Sequence, residues 1–183
     1  MNLTSSCLLN KITKMNNRKV IFGGNPVELA GNEINIGDKA PEFSVLDNGL
    51  KPVKLSDFKG KVKLISIFPS IDTGVCSIQT HKFNSEAGSY GENVAFLAIS
   101  LDLPFALKRF CGAEGINNLK TLSDHRDVDF GNKYGFLIRD LRLLARGVVV
   151  IDKDDVIRYV EVVPEIGHEP NYDAALKALK VLI

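Results

Sequence analysis

Apolar positions along this chain gather into short runs separated by polar stretches, and the period of the runs changes from segment to segment. Phe43 to Leu46, Leu64 to Phe68, Val94 to Ser100 and Val148 to Ile151 are nearly continuous and short. Such runs predict strands buried on both faces. Val156 to Val163 predicts a further strand, paired with the preceding one across the turn Asp152-Lys153-Asp154-Asp155. Val20 to Phe22 and Val27 to Leu29 flank Gly23-Gly24-Asn25-Pro26, which predicts an N-terminal hairpin. Helical stretches lie between the strands: Ser77 to Ala87, Leu103 to Cys111, and a short one near Val128 to Tyr134. The second of these is opened by Asp102 and Pro104 and is expected to stop at Gly112. Tyr172, Ala175, Leu176, Leu179 and Leu182 recur at helical spacing, predicting a final amphipathic helix capped by Asn171. Strands alternating with helices imply an α/β layered domain.

Length and charge narrow the function classes. At 183 residues the chain is one domain by length, large enough to bury a substantial core. A net charge of +1 gives no electrostatic reason to expect nucleic acid or an anionic membrane as partner. No apolar run approaches the ~20 residues that a bilayer span needs. Three cysteines without close pairing argue against a disulfide framework and against zinc-type spacing. A cytoplasmic, redox-active protein is the economical reading. Residues 1–18 form an N-terminal extension, expected to be disordered or to lie upstream of a natural start at Met15. They lack the long apolar core of a secretory signal, and Cys7 sits too early for a lipoprotein signal. A single domain is expected over residues 19–183.

The chemistry centres on Cys76. It follows the apolar run ending at Phe68 and opens the helix read from Ser77, which places a lone thiol in a first helical turn. Unpaired N–H groups and the positive end of the macrodipole favour an anion there. A thiol so held tends to ionise, and the thiolate is the attacking form. With Thr73 as N-cap, Cys76 falls at N3, and the Thr73 hydroxyl is expected to accept from the Cys76 N–H. Its own hydrogen remains for the sulfur or for a substrate oxygen. Pro69 rigidifies the strand end and leaves no backbone donor beside the sulfur.

Cys111 lies near a helix C-terminus, the negative pole, so it is expected to remain an ordinary thiol. Thirty-five positions separate it from Cys76, so the pair is no Cys-x-x-Cys motif. Taken alone, Cys111 reads as a small buried apolar residue. Arg146 interrupts the apolar stretch from Leu141 to Ile151, and a charge entering a buried strand needs a partner. A thiolate is one candidate; Asp140 or Glu165 in a structural ion pair is another. Arg139 and Arg142 are expected to be exposed.

Pro69, Thr73 and Cys76 together spell Pro-x-x-x-Thr-x-x-Cys, and in this the chain resembles the peroxiredoxins. Four stretches in order resemble the bacterial thiol peroxidase subfamily. They are Phe68 to Cys76, Asp102-Leu103-Pro104-Phe105-Ala106, Arg109 to Gly115, and Leu144 to Asp152. The similarity runs from about Lys19 to the C-terminus. It implies a thioredoxin-like fold, a central mixed sheet flanked by helices with an N-terminal β-hairpin. It further implies a peroxidase reducing hydrogen peroxide and alkyl hydroperoxides. Cys76 would be the peroxidatic nucleophile and Cys111 the resolving thiol, with Thr73 and Arg146 orienting the peroxide and Pro69 walling off the sulfur. The resemblance implies an intramolecular Cys76–Cys111 disulfide, formed after helix turns unravel and reduced by thioredoxin. It also implies a homodimer.

Other candidates read as ordinary. His81 lies on a different helical face from Cys76 and reads as a surface or packing residue; His125 and His168 read as solvated. Asp72 reads as a cap rather than a base, and Phe105 and Phe110 as core, or as an apolar mouth beside Cys111. No phosphate loop, organic cofactor or metal site is implied. Two other classes use similar residues: a redox relay passing oxidation to a client, and a thioredoxin-fold binding module without catalysis. Retention of Pro69, Thr73, Cys76, Cys111 and Arg146 together argues against the second.

Overall fold

The computed structural model describes residues 18–183. The expectations for Met15, Cys7 and the rest of residues 1–17 lie outside the described residues. Two β-α-β units form the centre. β5 (Val62–Ile67) leads through α1 (Gly74–Ala87) to β6 (Val94–Ser100), and β6 leads through α2 (Pro104–Glu114) to β7 (Lys120–Ser123). Both strand pairs are parallel. All six residues of β5 are buried, as its unbroken apolar run predicts.

Antiparallel strands extend the sheet on both sides. β10 (Gly147–Ile151) pairs with β5, and β11 (Ile157–Val162) pairs with β10. On the other side lie β3 (Ser44–Leu46) and β4 (Pro52–Lys54), giving the order β11-β10-β5-β6-β7-β3-β4. A second sheet holds the predicted hairpin, β1 (Lys19–Phe22) and β2 (Asn25–Ala30), together with β8 (Leu137–Ile138) and β9 (Leu143–Leu144).

Strand alternation splits the core into two layers. Ile65, Ile67, Leu97, Ile99, Val149 and Ile151 face one side, where Phe43 and the aromatic rings of α3 (Asp129–Tyr134) complete the layer. Leu64, Phe96, Ala98, Val148 and Val150 face the other, against Phe83 of α1 and Ala175, Leu176 and Leu179 of α4 (Tyr172–Lys180). Asn171 caps α4 as expected, its side chain accepting from the Ala174 N–H at 3.0 Å. Cys76 belongs to this second layer.

Two expectations need correction. α2 passes through Gly112 and ends at Glu114; the stop is Gly115, whose φ of 66° gives the left-handed cap. Phe105 is not core but 62% exposed on the first turn of α2, while Phe110 is half-buried. The sequence pattern also gave no sign of β4, β7, β8 and β9, each four residues or fewer and too short to show a period.

Two buried charges pin loops to this frame. Lys63 on β5 donates to the carboxylate of Asp155 and to the Asp152 carbonyl in the β10–β11 turn. Asp124, just beyond β7, accepts from the N–H groups of Phe130 and Gly131 in α3 at 3.1 and 2.8 Å. Burial outweighs those bonds and pushes its carboxyl up to about 6. The folded state therefore holds this proton more tightly than the unfolded chain does. Its contribution favours folding at low pH and is lost as pH rises through about 6. Asp124→Asn is expected to gain about 2 kcal/mol on the parent between pH 4.5 and 7.5, since each tenfold difference in proton affinity is worth ~1.4 kcal/mol. Urea unfolding of both proteins at the two pH values measures it; a difference independent of pH would refute the assignment.

Candidate active site

The strand-to-helix turn after β5 carries most of the predicted residues. Pro69 is buried at the end of the strand, and Thr73 is the N-cap of α1, with extended backbone, so Cys76 stands at N3. The first intrahelical bond runs from the Ser77 N–H to the Thr73 carbonyl at 3.0 Å, and the N–H groups ahead of it have no intrahelical acceptor. Thr73 departs from the expected cap. Its hydroxyl accepts no capping bond and instead lies 2.8 Å from the Cys76 sulfur and 3.1 Å from the Ser70 carbonyl. One hydrogen thus faces two acceptors. Beside a thiol it can rest on the carbonyl while the S–H points at Thr73 Oγ1; beside a thiolate it turns to the sulfur.

Arg146 reaches the same sulfur from the opposite side. Arg146 is 2% exposed and each arm of its guanidinium has a target. Nε donates to the Ile166 carbonyl at 2.8 Å, Nη1 to Gln79 Oε1 at 2.6 Å, and Nη2 to Cys76 Sγ at 3.2 Å. Neither Asp140 nor Glu165 pairs with it, whereas Arg139 and Arg142 are exposed as expected. The fork geometry fits three separate acceptors, which a point charge could not serve together. Gly147 lets this strand approach β11 closely: a Cβ there would meet the Glu161 carbonyl at 2.1 Å.

Gln79 was missed in the sequence. It lies one turn after Cys76, fully buried, and its Nε2 donates to Ser66 Oγ at 2.8 Å while Oε1 holds Arg146. A polar residue at i+3 from the cysteine on the inward face was the available signal. Asp102 was read only as a helix opener. Its carboxylate accepts from Ser70 Oγ, the Ile71 N–H and Ser100 Oγ, each at 2.7 Å, and so ties the Cys76 turn to the end of β6.

Cys111 stands in the last turn of α2, half-buried against the layer that contains Cys76, and both thiols are free. Its sulfur lies 3.3 Å from Thr121 Oγ1. Asp72 is not a cap; its carboxylate meets Arg109 of α2 at 3.1 Å on the surface. His81 likewise faces Glu114 at 3.2 Å and the ring of Phe110, away from Cys76. His125 is held by Ser123 Oγ at 2.8 Å. Tyr172, packed on Phe83 in the Cys76 layer, has its phenol pushed up by burial and by Glu169, so it stays neutral. Among the described residues no group of three or more acidic, histidine or cysteine side chains is placed to hold a metal, and no helix is long and apolar enough to cross a membrane.

The Redoxin family model matches residues 35–176. The chain belongs to the redoxin family. A thiol peroxidase of Halalkalibacterium halodurans is 54% identical over 164 residues, covering 90% of this chain and 98% of its own length. One of Bacillus subtilis is 50% identical over 165 residues with the same coverage. A solved peroxiredoxin-like protein from Aquifex aeolicus superposes with a TM-score of 0.85 at 44% identity, over 91% of this chain and 98% of that one. This redoxin therefore sits among the bacterial thiol peroxidases, as a thiol-dependent peroxidase with a thioredoxin-like α/β fold.

Arg146→Lys tests the fork. A lysine cannot serve Ile166, Gln79 and Cys76 at once, and one charge-assisted bond contributes ~1.5–3 kcal/mol. Alkylation of Cys76 by iodoacetamide at pH 7, followed by mass mapping, is expected to slow about 10–100-fold. An unchanged rate in a folded variant would mean that the guanidinium does not act on the sulfur.

Proposed function

We propose that this redoxin reduces hydrogen peroxide and alkyl hydroperoxides through a two-cysteine cycle in which Cys76 attacks and Cys111 resolves. The observation that carries the reading is the Cys76 sulfur itself, fully buried yet met by Thr73 Oγ1 at 2.8 Å and Arg146 Nη2 at 3.2 Å.

The Cys76 thiolate attacks the terminal oxygen of the hydroperoxide. An S–O bond forms, the O–O bond breaks, and the departing alkoxide takes a proton to leave as alcohol or water. Arg146 and Thr73 donate to the reacting oxygens as charge passes onto them. Pro69, buried and without an N–H, leaves no backbone donor at the strand end. The product is a sulfenic acid at Cys76, which Cys111 attacks. The S–S bond forms as the S–O bond breaks, and hydroxide leaves as water with the proton of the second thiol. A dithiol reductant, thioredoxin in this reading, then returns two electrons. Exposed Ile78, Leu103 and Phe105, on the first turns of the two cysteine helices or next to them, offer an apolar rest for an alkyl tail. The need for a reduced thiol pool favours a cytoplasmic setting, and the family resemblance favours a homodimer. No cofactor is needed.

The joints between the two cysteine segments favour the conformational step. Arg109–Asp72 and His81–Glu114 are exposed pairs, of a kind contributing only ~0–1 kcal/mol each. One equivalent of cumene hydroperoxide mixed with the reduced protein is expected to be consumed rapidly and to leave a Cys76–Cys111 disulfide on mass mapping. Cys76→Ser should lose the peroxidase activity at least 1000-fold, as loss of a nucleophile does in order of magnitude. Cys111→Ser should react once and then stall as the sulfenic acid. Persistence of the peroxide, or pairing of Cys76 with Cys7 or another chain, would overturn the mechanism.

A further inference from the structure

We propose that Thr121, oriented by Asn48, is the hydrogen-bond donor that activates Cys111, as Thr73 faces Cys76. The inference rests on the reading of Cys111 as the resolving thiol. The register of the sheet makes the arrangement. Leu46 of β3 pairs antiparallel with Ser123 of β7, so two positions further on Asn48 stands opposite Thr121, on the same face. The turn holding Asn48 is fixed by Asp47, whose carboxylate accepts from the N–H groups of Gly49 and Lys51 at 2.8 and 2.9 Å. The Lys51 bond leads in holding that carboxyl below its usual range. Thr121 is itself 3% exposed.

The hydrogens then sort themselves. Asn48 Nδ2 donates to Thr121 Oγ1 at 2.9 Å and occupies one of its lone pairs. The hydroxyl hydrogen is left, and among the described residues its neighbour is Cys111 Sγ at 3.3 Å; either atom can donate while Cys111 is a thiol, and only Thr121 can once the sulfur is a thiolate. A hydrogen bond to an anion is roughly twice as strong as one to a neutral acceptor, so this donor favours the attacking form of the sulfur. It also opposes the negative pole of α2, whose last turn carries Cys111. In the resolving step Cys111 gives its electron pair to Cys76 sulfur, the Cys76 S–O bond breaks, and the oxygen leaves as water with the Cys111 proton. A deprotonated Cys111 is the competent partner.

The test uses the full chain with Cys76→Ser, so that Cys111 is read by itself. Iodoacetamide labelling with mass mapping is followed from pH 6 to pH 10. Thr121→Val, which keeps the shape, is expected to slow labelling at pH 7 about tenfold and to converge on the parent at pH 10. Thr121→Ser should stay within about twofold throughout. If Thr121→Val does not fold, Thr121→Ala supplies the same test, because it removes the hydroxyl without adding bulk or charge. His81, Glu114, Lys120 and Asp47, the titratable groups on the neighbouring elements, are unchanged in all variants. A Thr121→Val profile that matches the parent, or is lowered equally at every pH, would overturn the proposal. The underlying reading fails separately. If Cys111→Ser in the otherwise native protein turned over peroxide with thioredoxin at the parent rate, Cys111 would not be the resolving thiol, whatever the labelling shows.

Discussion

A guanidinium buried with no carboxylate partner among the described residues is the constraint on which the site depends. Moving an unpaired charge out of water costs several kcal/mol or more. Arg146 meets that cost with two neutral acceptors, the Ile166 carbonyl and Gln79, and one sulfur. Lys63 makes the contrast within the same sheet. It is just as buried, but the Asp155 carboxylate answers it, and the pair serves only to hold a turn. Among the described residues, the one group in hydrogen-bond range of Arg146 able to carry a compensating negative charge is Cys76. The buried charge and the proposed nucleophile therefore share one contact.

The layering of the fold delivers these groups to one point. Arg146 immediately precedes β10, Gln79 and Cys76 share the inward face of α1, and Ser66 on β5 supports Gln79 from beneath. None of these positions is a flexible loop tip. The short antiparallel edge does similar service for the second thiol. Pairing of β3 with β7 brings a hairpin turn distant in sequence to the side chain facing Cys111.

Much of this was legible from the chain. Continuous apolar runs marked the central strands, Arg146 announced itself as a charge where the pattern called for apolar residues, and Thr73 and Cys76 stood out by their place at a helix start. What escaped was of two kinds. β7 and β4 are too short to carry a period, and β7 also pairs with β3, a partner far away in sequence. Gln79, Asp102 and Thr121 are common polar residues whose importance lies in what faces them, which spacing alone does not reveal. Phe105 shows the opposite failure. Its apolar side chain reads as core or as an apolar mouth beside Cys111, and the first of these fails, because the first turn of α2 leaves it largely exposed. Asp72 failed similarly, because an arginine one helix away competes for it better than the nearby N–H groups do.

The way the two cysteine helices are fastened has a mechanical meaning. Each sits on a sheet whose strands are buried on both faces, but the helices are fastened to each other partly by exposed ion pairs. Local stability follows buried apolar contact, so the sheet resists opening while these helix ends yield first. Oxidation then need not disturb the molecule as a whole. In the proposed cycle it would be written into the looseness of one face, and a protein that recognises that face would read the electron count of the enzyme as a difference in stiffness.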